Sequence, residues 1–248
     1  MGEVRTKRLV RKQKVVKPIT ITAYTNDAHI YDMFKIESAM KHLPKWFKDL
    51  SKTYSTLIGN EGRSLELPVS TMKNCPAVMD YLSRPLVIRI PYDLAFRCDD
   101  GELFWSAPSE RIANMVNQFG IMQKVGFDIG HCKLATCWEL VEPEGIPFLF
   151  TDAYYNNFSK SWRVTQGVTN FRDQHHLDIN ISVPNNQEQT EIRAGDPICY
   201  LMPLSERPVK VVSKLVSEQE FNWIAEKRNK KFTFIDKWKK NRKLKKFN

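Results

Sequence analysis

The chain has 248 residues, 42% of them hydrophobic, with 38 Lys and Arg against 28 Asp and Glu and a formal net charge of +10. That length supports one large domain or two small ones with a real core; no apolar run approaches the ~18 residues of a transmembrane helix, and no apolar stretch follows the basic start as in a secretory signal. The five cysteines, Cys75, Cys98, Cys132, Cys137 and Cys199, are scattered and lack CxxC spacing, which argues for reduced thiols in a cytoplasmic compartment and against a disulfide framework.

In chain order, residues 1–17 form a basic N-terminal arm, with seven Lys and Arg against Glu3 alone. Its mixture of cations with Val and Leu has no clear period and reads as extended or disordered without a partner. Ile19–Tyr24 alternates and is rich in β-formers, which predicts a strand. His42–Leu50 reads as a short helix with Trp46, Phe47 and Leu50 on one face, and Leu65–Val69 as a strand. Pro76 stands where a helix begins, with Val78, Tyr81 and Leu82 on its buried side, until Pro85 ends it. Leu86–Ile90 is a strong strand. Leu94–Cys98 and Glu102–Ala107 flank a hairpin turn at Asp99-Asp100-Gly101, and residues 108–130 are less regular.

The second half reads mostly as strands: Leu134–Val141, then Pro147–Phe150 after a turn at Glu144-Gly145, then Trp162–Thr169 and Leu177–Val183. A turn at Pro184-Asn185-Asn186 leads to Ile192–Ala194, Ile198–Met202 and Val209–Val216. Short strands spaced near ten residues predict a mainly β body, β-sandwich or jelly-roll-like, with minor helices. Ser217 and Glu220 form a capping box that opens a C-terminal helix with Phe221, Ile224 and Ala225 on its apolar face. Residues 227–248 hold eleven Lys and Arg against Asp236 alone. The intervening residues 18–226 keep 20 basic and 26 acidic side chains, so an acidic body of net −6 lies between two basic extensions. The expected organisation is a basic arm over 1–17, a β-rich body over 18–216 with 18–130 and 131–216 as possible subdomains, and a helix and basic tail over 217–248.

Four stretches carry a resemblance: Lys73-Asn74-Cys75-Pro76 with Leu86–Pro91 and Asp93; Lys133-Leu134 with Trp138 and Pro143-Glu144-Gly145; Gly167-Val168 leading to Leu177-Asp178-Ile179-Asn180; and Ile192–Ile198 closing on Met202-Pro203-Leu204 and Arg207. Over residues 73–210 the chain resembles a family of uncharacterised proteins of tailed bacteriophages. The resemblance implies a phage origin and a β-rich fold but no activity. Gln174-His175-His176 replace the small residues usual at the third stretch, and both basic ends fall outside the match.

Several constellations have residue types suited to chemistry. His176-Leu177-Asp178 puts two ligand-type side chains on one face of a strand, the start of a two-His, one-carboxylate iron site. That site needs a distal histidine downstream, and the five histidines, His29, His42, His131, His175 and His176, all precede Asp178. The plain alternative is hydrogen bonding at a sheet end. His131, Cys132 and Cys137 would hold zinc only with a fourth ligand from elsewhere. Asp99, Asp100 and Glu102 suit a cation or simply a turn. Ala194-Gly195-Asp196-Pro197 is a tight turn, and Tyr154–Phe158 is either a partner-gripping loop or one with its rings tucked onto the body. Nucleophile, phosphate-loop and dinucleotide motifs are absent.

The basic ends are the better signal. Arg5, Lys7, Arg8, Arg11 and Lys12 in the arm, and Lys237, Lys239, Lys240, Arg242, Lys243, Lys245 and Lys246 with Trp238 in the tail, are the expected contacts to nucleic acid or partner proteins. Cations neutralise phosphates without reading sequence, and aromatics stack on bases. The expectation is a non-enzymatic phage protein, a virion structural or assembly component found in the virion or the host cytoplasm. It would sit in a homo- or hetero-oligomer with other virion or assembly proteins, reach nucleic acid through its tails, and use no cofactor, no catalytic metal and no membrane. The alternative is a small β-fold enzyme or nucleotide-binding protein acting during infection, with a metal-dependent site at His175, His176 and Asp178.

Overall fold

A computed structural model of the chain describes residues 16–58, 65–99, 102–106, 129–186 and 188–227. The arm residues Arg5, Lys7, Arg8, Arg11 and Lys12, the tail residues Lys237, Trp238, Lys239, Lys240, Arg242, Lys243, Lys245 and Lys246, the turn residues Asp100 and Gly101, and the segment 107–128 lie outside the described residues.

The protein is mainly β, with a C-terminal helix. Period-two alternation builds the first sheet: β1 (Ile19–Thr25) buries Ile19, Ile21, Ala23 and Thr25 and turns the residues between them outward. It pairs antiparallel with β8 (Ile129–Val141), which pairs with β12 (His176–Pro184), which carries the short β10 (Arg163–Val164) on its other side. On the opposite side β1 runs parallel to β15 (Val209–Leu215), with Ile19 across from Val209. The first and last strands of the body thus lie side by side, in the order β10-β12-β8-β1-β15.

A second sheet runs β11-β9-β14-β5-β2. Its members are β2 (Glu37–Ser38), β5 (Leu86–Arg89), β9 (Pro147–Asp152), β11 (Gly167–Asn170) and β14 (Pro197–Pro203), all antiparallel. Ile19, Leu134 and Ile179 of the first sheet share one core with Ile88, Phe148 and Leu201 of the second, which makes a sandwich. The second sheet is covered on its other face as well. There Val87 and Tyr200 pack with Leu43, with Phe47 of α2 (Lys45–Asp49) and with Leu82 of α3 (Pro76–Ser83). Burial on both faces is why Leu86-Val87-Ile88 reads as an unbroken apolar run.

Two smaller sheets complete the body. In one, β13 (Thr190–Ile192), β6 (Leu94–Asp99) and β7 (Glu102–Ser106) add Leu94, Phe96, Cys98 and Ile192 to the main core. In the other, among the described residues β3 (Thr53–Ile58) pairs only with β4 (Leu65–Ser70). Besides the α2 and α3 already named, the helices include α1 (Ala28–Met33), where the Asp27 carboxylate accepts from the Ile30 amide at 3.1 Å. They also include α4 (Tyr154–Asn157) and the C-terminal α5 (Glu218–Lys227). The capping box forms at Ser217, whose hydroxyl accepts from the Glu220 amide at 3.2 Å. Ile224 is buried on the inner face of α5, flanked by half-buried Phe221 and Ala225.

One expected strand divides. Trp162–Thr169 is not continuous: β10 adds to β12 in the first sheet, whereas β11 adds to β9 in the second. Trp162 and Val164 point into the core, and Thr165–Val168 are exposed where the chain changes sheets. Each half is bonded to the open edge nearest to it, and the crossover spans the gap between the two edges.

Candidate functional site

The crossover and the two strands beneath it create a polar concavity. β8 and β12 do not run in simple register there. Glu139 faces His176 and Ala135 faces Asp178, so a two-residue step on β12 matches a four-residue step on β8. The excess is taken up in a bulge where Cys137 has a φ of 58° and the Thr136 hydroxyl donates to the Leu177 carbonyl at 2.6 Å. The bulge sets Glu139 directly across from His176.

Glu139 is fully buried. Its Oε1 accepts a hydrogen bond from His176 Nδ1, while its Oε2 has no hydrogen-bond partner among the described residues. A carboxylate on Nδ1 fixes the tautomer and leaves Nε2 of the neutral ring as its proton-accepting nitrogen. Two residues along, Asp178 forms an ion pair with Lys133 at 2.9 Å. His176, Asp178, Asn180 and Lys133 occupy the half-buried positions that alternate with core residues Leu177, Ile179 and Leu134. With Val164–Thr169 and Phe150 they line a cavity of about 200 Å³.

The suspected ligand triad is not assembled. His175 donates from Nδ1 to the Ile224 carbonyl of α5 at 3.1 Å, His176 is engaged by Glu139, and Asp178 by Lys133. His131 and Cys132 are neighbours on β8 and so point to opposite faces. Among the described residues no group of three or more His, Cys, Asp or Glu is placed to hold a metal ion. Burial pushes the Cys132 thiol up to about 12, which keeps it a protonated packing group.

The remaining sequence candidates take structural parts. Gly195 adopts a φ of 90°, its amide donates to the Ile90 carbonyl at 2.8 Å, and the Asp196 carboxylate accepts from the Arg193 amide at 3.1 Å. Asp93, from a separate sequence stretch, accepts from the Ala194 amide at 2.8 Å, which locks the turn against the end of β5. In the aromatic loop, Tyr155 packs against Trp46, Phe47 and Tyr81, and buried Asn157 donates to the Pro197 carbonyl at 2.9 Å. Tyr154 and Phe158 stay exposed. Asp99 is 3.9 Å from Arg97.

Sequence reasoning missed Glu139 and Lys133 as neighbours of the His176-Asp178 pair. An acid inside the apolar run Cys137-Trp138-Glu139-Leu140 was the available signal, because a buried charge in a strand requires a partner. No helix among the described residues is long and apolar enough to cross a membrane. No protein-family model matches the chain, and no curated protein matches it.

Proposed function

We propose that this chain is a non-enzymatic phage protein, a structural or assembly component whose sandwich sets position while projecting segments contact neighbouring subunits. The observation that carries the reading is the β3–β4 hairpin. Among the described residues it joins no other sheet, and both of its strands present exposed side chains, including Tyr54 and Leu67. A two-stranded hairpin alone in water is marginally stable at best, so this one has most to gain from a partner surface. It is anchored at its base, where the Thr71 amide and the Asn74 side chain donate to the Lys52 carbonyl at 2.9 Å each and Lys73 Nζ donates to the Lys48 carbonyl at 2.6 Å. The segregated charge supports the same reading, since the basic composition of both ends suits acidic partners or packaged nucleic acid. The test is mass spectrometry of purified particles. The chain is expected in them, and the double substitution Tyr54→Ser, Leu67→Ser is expected to deplete it without lowering its thermal stability. Absence of the wild-type chain from particles would overturn the proposal.

A second reading, a small β-fold enzyme acting during infection, is favoured by one observation: the buried Glu139 carboxylate on Nδ1 of His176, whose ring lines the cavity. Such a pair orients an imidazole for proton transfer. Turnover that His176→Gln abolishes, in a variant that remains folded, would establish it.

A further inference from the structure

The cavity under the Val164–Thr169 crossover points to a ligand, and we propose that it binds a single neutral sugar ring. The inference stands on the cavity alone and adds a ligand to either reading above. Charge is the first constraint. Lys133 and Asp178 are paired at 2.9 Å and His176 is held by Glu139, so among the described residues the wall presents donors and acceptors side by side with no uncompensated cation for a phosphate or carboxylate. The second constraint is hydrogen-bonding density. Gln166, Gln174 and Asn180 bring amides, each both donor and acceptor, to a small volume. The Thr169 hydroxyl of the same wall is buried without a hydrogen-bond partner among the described residues. Buried hydroxyls are nearly always satisfied, so rotating the Thr169 side chain towards a ligand hydroxyl breaks no existing hydrogen bond.

The third constraint is the apolar part of the wall, Phe150 and the exposed Val168. A ligand matching both surfaces carries hydroxyls around its rim and C–H groups on a face, which describes a pyranose or furanose ring. Size is the fourth. At about 200 Å³ the cavity falls below the ~300–1,000 Å³ typical of drug-sized sites and has room for one ring. The Asp178–Lys133 pair is the natural anchor, since a carboxylate and an ammonium together can accept from one hydroxyl and donate to the next.

The test uses the full chain, with saturation-transfer NMR for glucose, galactose, mannose, N-acetylglucosamine, adenosine and uridine, and displacement of the sugar signal for inorganic phosphate. At least one sugar is expected to give a saturable signal that Asp178→Asn weakens about tenfold, the equivalent of one charge-assisted hydrogen bond. Asn180→Ala, which leaves the ion pair intact, provides a second reading should Asp178→Asn fail to fold. The inference is overturned if no sugar binds, if a nucleoside or phosphate binds in preference, or if sugar binding survives unchanged in the folded variants.

Discussion

Arg207 grips Glu144 through two hydrogen bonds, 2.6 and 2.9 Å long, and with the same guanidinium donates to the carbonyls of Lys17 and Pro18 at 2.9 and 3.3 Å. One side chain therefore joins the β8–β9 turn to the start of β1. The Ile19 amide, bonded to the Pro208 carbonyl at 2.8 Å, begins the parallel β1–β15 pair at that point. Lysine cannot reproduce a planar two-pronged grip. Arg207→Lys is expected to raise hydrogen exchange at Ile19 while amides at the centre of β12 stay protected. Arg207 also holds the Glu144 carboxyl below its ordinary range. A carboxyl lowered on folding stabilises above its unfolded value, about 4.3, and loses that contribution as pH falls through the folded value. Protection at Ile19 should therefore fall on acidification below about pH 4, and in Arg207→Lys this acid step should shrink.

The same turn contains a position that only glycine suits. Gly145 has a φ of 79°, and a Cβ there would lie 2.9 Å from the Arg172 guanidinium carbon. The buried Glu142 carboxylate accepts from the Glu144 and Ile146 amides at 2.8 and 2.7 Å, which fixes the backbone around it. Gly145→Ala is expected to cost about 1–2 kcal/mol from the left-handed conformation alone, measured by urea unfolding. An unchanged midpoint would mean that the turn relaxes freely.

The Glu139–His176 pair predicts non-additive energetics. His176→Ala leaves a buried carboxylate with no partner and should destabilise by about 2–3 kcal/mol, the cost of an unsatisfied buried group tempered by the partial exposure of the imidazole. Glu139→Gln added to His176→Ala removes the orphaned charge and should recover a large part of that loss, so the cycle closes with a favourable coupling. Additive effects would show that the pair does not act as a unit.

Local chemistry was legible in the sequence and long-range pairing was not. The alternation of Ile19–Thr25, Pro76 at the head of α3 and the Ser217 cap each rest on residues a few positions apart, and each element forms where those signals place it. The Asp27 cap of α1 is equally local, but it serves a helix of only six residues. By contrast, nothing near Trp162–Thr169 announces that its halves belong to different sheets, since the decision rests with the edges of β12 and β9. The parallel partner of β1 lies at Val209, far along the chain. His176 and Asp178 stood out as an H-x-D pair, yet their chemistry is set by Glu139 and Lys133, brought opposite by a bulge that no short motif encodes.

In the C-terminal tail eleven cations stand against Asp236 alone. Cutting after Glu226 removes them and leaves the Ser217 cap and buried Ile224, so the body should melt at nearly the same temperature. The remaining body with its arm carries 27 basic and 27 acidic side chains and has no net charge to hold a polyanion. If the tail contacts duplex DNA, affinity of the full chain should fall with salt along a log–log slope of about −0.9 per phosphate neutralised. The truncated chain should show little binding at moderate salt and a flatter slope. Equal affinity in both forms would remove the tail as the nucleic-acid contact. If neither form binds DNA and truncation instead excludes the chain from particles, the tail acts by docking onto an acidic protein surface.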